Sequence, residues 1–367
     1  MKKKLFLAAV ISLMIGALLF AGGGQQAGGG QVAGSGAIRM TALIRNLNEQ
    51  FVKDYAENLR KLAASNGVEL NLQDANNDQA RQLDQLDTAI NQGYKYFVII
   101  PVERDLSEQF NQKIKAIGGV AAYSNVAPTV TALKVDKNMY YASSPETVAG
   151  EYQGGIIADY FDSYPDKAPG KTLNMLYIRG MDGYSATKFR EIGMQNELKN
   201  RGYTVKYIAA DTANWAPDQA QQKMDAWLAA YKGQFNVVVA QNDGMALGAV
   251  ESLIANGYTK SDSSDGTILQ YPVLGVDATQ DALNSMGENK LYATVLQDAI
   301  GQSSTAFGIV LEFAKTGDVY GKTIYNLTPP KTPLSEDPFD DPAVIGQCYA
   351  VPFVPVTKAN YKDYLAK

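Results

Sequence analysis

Polar and aromatic side chains recur directly after the short apolar segments of this chain. Their types suit the hydroxyls of a small polar molecule, because carboxylates accept hydrogen bonds, arginines donate them, and amides do both in fixed directions. Flat rings cover the apolar C–H faces of a sugar, and Phe51 and Trp215 are the two aromatics placed to enclose one. The pattern therefore suits a carbohydrate. The residues that follow apolar segments are Arg45, Asn46, Asn48, Glu49, Phe51, Arg179, Asp182, Tyr184, Arg190, Asp211, Asn214, Trp215, Gln241, Asn242, Asp243, Asp277, Gln297 and Asp298.

Each of these residues also has a purely structural interpretation, which the residues alone leave open. Asn46 or Asn48 could cap a helix. Phe51 has a helical core spacing with Tyr55. Trp215 could pack as a hydrophobic staple for the helix that follows it.

Arg190 and Asp277 have similar alternatives. Arg190 could pair with Asp182 or Glu191 on a solvated surface, and Asp277 could cap a helix that begins near Gln280. Taken one at a time, these signals do not decide between structure and binding. Their recurrence at the ends of successive predicted strands favours binding.

The composition excludes several kinds of catalysis. The chain has no histidine and a single cysteine, Cys348. Histidine is the commonest general base, and without it Ser-His-Asp and Cys-His catalysis are excluded. Catalysis by carboxylates alone is not excluded. The net charge of −5 without a basic cluster argues against binding to nucleic acid.

Residues 1–23 are predicted to be a signal peptide. Lys2, Lys3 and Lys4 precede an apolar run over residues 5–20, which is shorter than the roughly 20 residues of a spanning helix. Residues 24–37, rich in Gly, Gln and Ala, are predicted to be a flexible leader. We therefore expect a periplasmic protein; an uncleaved anchor, and with it membrane association, is the alternative left open.

Strands and helices are predicted to alternate along the rest of the chain. Asn48 is expected to cap the first helix, and Asn66-Gly67 to end it, because glycine accepts the left-handed conformation. Short runs without polar alternation suit parallel strands covered on both faces. Predicted strands are 38–44, 68–72, 96–100, 173–178, 204–208, 235–240, 273–276 and 293–296, with later helices over 188–199, 217–231 and 244–256.

This alternation predicts an α/β fold with a doubly wound sheet. In such sheets the ligand binds at the carboxyl ends of the strands, where the polar residues above are placed. Residues 326–347 break the rhythm with five prolines and several acidic residues. They are predicted to be a surface excursion.

Five segments of the second half of the chain are distinctive in sequence: 211–215 (DTANW), 222–228 (QKMDAWL), 237–251 (VVVAQNDGMALGAVE), 273–278 (VLGVDA) and 293–298 (ATVLQD). In order and spacing they resemble the galactose/glucose-binding periplasmic proteins. The resemblance is specific over residues 211–300 and looser over 39–130, 140–160 and 351–354.

The resemblance implies two Rossmann-like lobes joined by a three-strand hinge, as in type I periplasmic binding proteins. Residues 38–142 and 299–349 would form the N-terminal lobe, and residues 143–298 and 350–367 the C-terminal lobe. The crossings would lie near residues 141–144, 297–299 and 349–351. The sugar would lie between the lobes.

The resemblance also implies roles for individual residues. Phe51 and Trp215 would take the family's two stacking positions. Arg190, Asn242 and Asp277 would take its hydrogen-bonding positions.

Other positions are matched less closely. Glu49 stands where the family has Asp, Gln297 where it has Asn, and Asn125 corresponds to an Asn on the hinge side of the first lobe. Tyr184 replaces a His and Ala186 an Asp, which puts the exact sugar in doubt. The family's calcium loop is missing between residues 162 and 174, so no metal and no cofactor are expected.

We therefore expect a binding protein, not an enzyme, that captures a glucose- or galactose-like monosaccharide and presents it to an ABC transporter permease through hinge closure. A chemoreceptor is a second candidate partner, nucleic acid is not a partner, and a monomer is expected. A pentose or nucleoside is the alternative ligand. A carboxylate glycosidase using Glu49 and Asp277 is a less favoured alternative. A sugar-responsive repressor would carry DNA-binding helices where the signal and leader stand.

Overall fold

Strands and helices alternate throughout the computed structural model, which describes residues 37–366. The predicted signal peptide and residues 24–36 of the predicted leader lie outside the described residues. The strands are β1 (Arg39–Ile44), β2 (Glu69–Asp74), β3 (Tyr96–Ile100), β4 (Val120–Tyr123), β5 (Met139–Ser143), β6 (Thr172–Arg179), β7 (Thr204–Thr212), β8 (Val237–Ala240), β9 (Val273–Leu274), β10 (Thr294–Leu296), β11 (Cys348–Ala350) and β12 (Val354–Val356). The helices are α1 (Gln50–Asn66), α2 (Gln79–Asn91), α3 (Ser107–Ala116), α4 (Val130–Lys134), α5 (Glu146–Ser163), α6 (Ser185–Asn200), α7 (Pro217–Ala230), α8 (Asp243–Ala255), α9 (Gln280–Gly287) and α10 (Ala299–Thr316).

The first sheet is parallel, with the strand order β11-β5-β4-β3-β1-β2. Its central strands β3 and β4 are buried except at Tyr96, because helices cover both faces of a parallel sheet. Helix α1 ends at Gly67, which adopts φ 62° and confirms the predicted stop. The order of the strands reverses between β1 and β3, which places a ligand-binding crevice at their carboxyl ends. We call this sheet and its helices the first lobe.

The second sheet repeats the same design, with the order β7-β6-β8-β9. Strand β10 extends it, because the backbone N–H of Asp277 donates to Val295 O at 2.7 Å, and β10 pairs with β12. The reversal here lies between β6 and β8. We call this sheet and its helices the second lobe. The α/β fold with two parallel-sheet lobes agrees with the predicted fold class.

The chain passes between the two sheets at three places. It leaves the first sheet after β5, returns to it after β10, and leaves it again after β11. These crossing segments are hydrogen-bonded to each other, since the Val351 N–H donates to Ser143 O at 2.9 Å and the Gln302 amide donates to Ser144 Oγ at 3.0 Å. The lobe limits given above stay a prediction.

Two expectations about local structure are wrong. Residues 326–347 are not only a surface excursion, because Phe339 is buried against Tyr141 with ring centroids 5.3 Å apart, and Glu336 is buried as well. Asn48 does not cap α1. Its backbone N–H instead donates to the Asn46 side chain at 3.0 Å, and the residue at the cap position is Glu49. Within residues 37–366 no helix is both long and apolar enough to span a membrane.

Candidate ligand-binding site

The carboxyl ends of strands from both sheets meet around one cavity. It lies beside the strand-order reversals of the two lobes, where ligands bind in doubly wound sheets. The cavity is lined by every residue predicted to bind the ligand, which are Glu49, Phe51, Asn125, Tyr184, Arg190, Trp215, Asn242, Asp277 and Gln297. Arg45, Ser185 and Ala186 complete the lining.

Arg190 is held in place by a buried hydrogen-bond network. Its Nε donates to Glu146 at 2.7 Å, and its terminal nitrogens donate to Gln241 O and to Gln297 Oε1. Gln297 in turn donates to Glu146 at 3.1 Å, so Glu146 receives a bond at each oxygen. Burial raises the pKa of Glu146, and the positive charge of Arg190 opposes that rise. The interpretation that Arg190 pairs with a carboxylate on the surface is wrong, because Arg190 is only 2% exposed.

The network depends on an unusually close contact between α5, which carries Glu146, and α6, which carries Arg190. A Cβ on Gly150 would lie 2.0 Å from Arg190 O, and a Cβ on Gly193 would lie 2.1 Å from Thr147 O. Only glycine permits this approach. The two glycines therefore bring the charges of two separate helices to the cavity wall.

Trp215 covers one side of the cavity in a restrained conformation. It lies between β7 and α7 with φ 64°, in the left-handed region that non-glycine residues rarely adopt. Its ring rests on Gly180, where a Cβ would lie 2.0 Å from the nearest ring carbon. The indole N–H is buried and has no partner among the described residues. The ring is therefore fixed by its surroundings, and its polar edge is unused.

Asn242 joins the end of β8 to the start of α8. Its side-chain oxygen accepts from the Met245 N–H at 2.9 Å and so caps α8. Its amide nitrogen donates to Trp215 O at 3.3 Å. Asn242 therefore supports the backbone of Trp215 in addition to lining the cavity.

Asp277 places a carboxylate in the cavity wall, and that carboxylate has no hydrogen-bond donor among the described side chains and backbone groups. Its backbone has φ 122°, another restrained conformation. Burial raises its pKa, Arg190 opposes that rise, and the nearby Asp243 adds to it. Capping of α9 by Asp277 is wrong, because the cap is Thr279.

The first lobe contributes fewer residues to the cavity lining than the second lobe does. Arg45 and Glu49 form a bidentate ion pair across the turn between β1 and α1. Phe51 follows Glu49 by two positions and is 6% exposed, so it belongs to the core and lines the cavity as well. Asn125, with φ 61°, brings its amide to the cavity from the end of β4.

Tyr184 spans the cavity between the lobes. Its hydroxyl donates to Val102 O, just after β3, at 2.7 Å. The Arg45 guanidinium lies 5.5 Å from the centre of its ring, and Trp215 meets the ring edge-on with centroids 6.4 Å apart.

Two charged residues of the site, Arg45 in the lining and Glu146 behind it, were not among the predicted ligand-binding set. Arg45 stands directly after the first predicted strand, so its position was visible in the sequence. Glu146 is different, because its role depends on the packing of α5 against α6. The only available signal was a carboxylate just after the crossing predicted near residues 141–144.

The cavity contains no constellation typical of a metal centre. Among residues 37–366, no group of three or more Cys, Asp or Glu side chains is placed to hold a metal ion. The lining instead combines three aromatic side chains, three amides and several charged groups. Such a set can stack on a ring and exchange hydrogen bonds with its substituents.

A family model described as a periplasmic binding protein domain matches residues 42–318. The galactose/methyl-galactoside binding periplasmic protein of Haemophilus influenzae is 27% identical over 302 residues, which cover 82% of this chain and 83% of that protein. The xylitol-binding protein of Mycolicibacterium smegmatis is 29% identical over 277 residues, covering 75% and 72%.

A solved structure has the same fold. The ABC transporter solute binding protein of Bacillus halodurans, solved with bound myo-inositol, superimposes with a TM-score of 0.73 at 23% identity. The superposition covers 90% of this chain and 98% of that one.

Proposed function

The chain belongs to the periplasmic binding protein domain family, and from this premise we propose that it captures a monosaccharide in the periplasm and presents it to an ABC transporter permease. Membership of this family makes it a solute-binding protein rather than an enzyme. The finer part of the proposal is that the ligand is a glucose- or galactose-like sugar. A pentose or nucleoside is the alternative.

The observation that carries the proposal is the composition of the cavity wall. Phe51 from the first lobe and Trp215 from the second line the same cavity, together with groups that bind hydroxyls. Aromatic rings pack against the C–H faces of a sugar, and amides and carboxylates meet its hydroxyls in fixed directions.

Three polar groups of the wall have bonding capacity that the protein does not use. The indole N–H of Trp215 is buried and has no hydrogen-bond partner among residues 37–366. The Asp277 carboxylate and the Asn125 amide are half-buried, and neither side chain is hydrogen-bonded within the described residues. Buried polar groups are normally paired, because an unpaired group costs free energy. A ligand hydroxyl on each would satisfy them.

Arg190 and Gln297 play a different part in this proposal. The protein already binds both of their polar ends, so they present a rigid charged surface to the ligand. A group held in position before binding loses little conformational freedom on binding, and this favours affinity.

The choice among sugars depends on the second lobe. The relatives are named for galactose and for xylitol, and the related structure holds myo-inositol. These ligands share a compact, polyhydroxylated skeleton. Tyr184 and Ala186 both differ from the galactose/glucose-binding pattern. Because the Tyr184 hydroxyl donates to Val102 O, we expect Ala186 to be the position that sets specificity.

Binding would draw the two lobes together about the three crossing segments. The closed form alone brings both walls to the ligand, so ligand shifts the population toward it. In this closed form the protein, as a monomer, would dock on the permease. A chemoreceptor is the second proposed partner.

The chain offers a direct test, because it has two tryptophans, Trp215 and Trp227. The variant Trp227→Phe leaves Trp215 as the sole indole reporter. After removal of copurified ligand by unfolding and refolding, its fluorescence is titrated with glucose, galactose, xylose, ribose, xylitol, myo-inositol and a nucleoside, adenosine. We expect saturable change with at least one of them.

Calorimetric titration provides the control. Trp215→Ala should weaken binding about ten-fold or more. Trp227→Phe, near the end of α7 and outside the cavity lining, should retain the wild-type affinity. If no polyol or nucleoside binds the refolded wild-type protein, the proposed function is wrong. Binding of ribose or a nucleoside alone would select the alternative ligand.

A further inference from the structure

Tyr184 makes a contact across the cleft that involves no ligand. It belongs to the second lobe, immediately before α6, and its hydroxyl donates to Val102 O of the first lobe at 2.7 Å. The crossing segments are hydrogen-bonded to each other, and Glu336 accepts from the start of α5 beside them. Apart from these contacts, the Tyr184 bond is the one hydrogen bond between the lobes among residues 37–366. Tyr184 lines the cavity, but its hydroxyl donates to the protein and not into the cavity.

The acceptor is held rigidly by its own lobe. The Val102 N–H donates to Gln82 Oε1 at 2.8 Å, and Gln82 donates to Ile100 O at 2.9 Å. Gln82 is fully buried. The Val102 carbonyl therefore does not need to be ordered when the lobes close.

The donor is restrained as well. Tyr184 is 8% exposed. The Arg45 guanidinium lies 5.5 Å from its ring centre, and the Trp215 ring is nearly perpendicular to it with centroids 6.4 Å apart. Arg45 belongs to the first lobe, so the ring also makes a cation–π contact between lobes. The hydroxyl already donates its only hydrogen to Val102, which leaves none to donate to a ligand.

We propose that Tyr184 is an interlobe latch, which stabilises the closed form through Val102 O and thereby raises the affinity for every ligand of the site by the same factor. Tyr184 is thus a positioning residue for the proposed function, on which the affinity part of this inference rests. The reason is thermodynamic. A bond present only in the closed form raises the closed population of the free protein, and apparent affinity scales with that population.

The test compares two variants that each remove one buried tyrosine hydroxyl. Tyr184→Phe keeps the ring and loses the bond between lobes. Tyr123→Phe is the matched control, because the Tyr123 hydroxyl donates to Asn111 Oδ1, also at 2.7 Å, within the first lobe. Affinity is measured for at least two ligands, and small-angle X-ray scattering measures the size of each ligand-free protein.

Tyr184→Phe should weaken binding of all ligands by one common factor, about two- to ten-fold for a single neutral hydrogen bond. Where the ligand-free protein is partly closed, its radius of gyration should also increase. Tyr123→Phe should change neither. A uniform loss of affinity supports the latch even when the scattering is unchanged, because the free protein is then mostly open.

Two results would overturn the inference. A loss that differs between ligands would mean that the hydroxyl contacts the ligand, and an affinity equal to wild type with unchanged scattering would mean that the bond does not bias closure. If no ligand of any class binds, the proposed function fails separately. In that case scattering of the ligand-free proteins alone decides, and equal radii of gyration count against the latch.

Discussion

Two arginine–glutamate pairs place an arginine in the cavity wall, and they differ in how far apart their partners lie in the chain. Arg45 and Glu49 are four positions apart, and one turn of chain forms the pair. Arg190 and Glu146 are separated by 44 positions and belong to different helices. Gln241 and Gln297 complete the second pair, whereas within the described residues no side chain beyond Glu49 hydrogen-bonds the Arg45 guanidinium.

This difference indicates that the two walls of the cleft have different mechanical roles. The second-lobe pair exists only when α5 and α6 are packed and the crossing segment at Gln297 is in place. It therefore connects the cavity to the hinge. The first-lobe pair joins two residues of one turn, and Glu49 lines the cavity. We expect the second wall to be a rigid platform and the first wall to adapt to it.

Removal of each arginine tests this comparison and has the largest expected effect. Arg190→Met leaves the fully buried Glu146 without its charge partner, which typically costs about 3–5 kcal/mol of unfolding free energy. Arg45→Met leaves Glu49, whose side chain is 16% exposed, able to turn to water. We expect a cost of about 1 kcal/mol there. Urea denaturation followed by circular dichroism measures both.

The comparison would fail if Arg45→Met cost as much as Arg190→Met. The double variant Arg190→Met with Glu146→Gln serves as a control. It removes the unpaired buried charge and should recover part of the lost stability.

The contact between α5 and α6 provides the second test. The Cβ of Gly150→Ala would lie 2.0 Å from Arg190 O, so the helices must separate, at a cost of about 1–3 kcal/mol. Affinity should fall with stability, because Arg190 moves with its helix. Gly155→Ala on the same helix is the matched control, since its Cβ would meet only the Glu197 carboxylate, at 4.0 Å.

Gly155→Ala should be neutral or stabilising by about 0.5–1 kcal/mol, because alanine is the better helix former. Thermal unfolding and calorimetric titration separate the two variants. A Gly150→Ala protein with wild-type stability and affinity would show that the close helix contact does not position Arg190.

The contrast between the two pairs also explains what the sequence could predict. The alternation of strands and helices was visible, and so was the position of each lining residue after a strand, because both depend on local order along the chain. Strand ends were less predictable. The segment predicted as 235–240 starts at Val237, where pairing with Met175 begins, and pairing is a property of two segments.

Partners distant in the chain could not be predicted from the residues alone. Arg190 was equally compatible with Glu191, its neighbour in sequence, which instead pairs with Arg179 at 2.7 Å. Helix α5 was not predicted, because it is buried on several sides and lacks the apolar stripe of a surface helix. Because α5 was not predicted, the pairing of Glu146 with Arg190 could not be predicted either.

Glu336 provides the third and smallest test, one step further from the cavity. Its buried carboxylate accepts from the backbone N–H groups of Glu146 and Thr147 at 2.7 and 2.6 Å, so it holds the start of α5. Burial and then the negative charge of Glu146 raise the pKa of Glu336 from 4.5 to about 7, although the two N–H groups oppose that rise. The folded protein therefore keeps a proton here that the unfolded chain has already lost.

The sign of the pH dependence follows from this difference. Between about pH 4.5 and 7 the folded state binds more protons than the unfolded state, so the contribution of Glu336 to the free energy of unfolding decreases as the pH rises. Between pH 5 and 7 the decrease should be about 2 kcal/mol. Urea denaturation at pH 5, 6, 7 and 8 should give a shallower slope for Glu336→Gln than for wild type. Glu146 and Asp277 titrate in the same direction and remain in the variant, so the difference between slopes isolates Glu336. Equal slopes would mean that Glu336 is already ionised in the folded protein, and the N-terminus of α5 would then stabilise the charge of this carboxylate more strongly than burial opposes it.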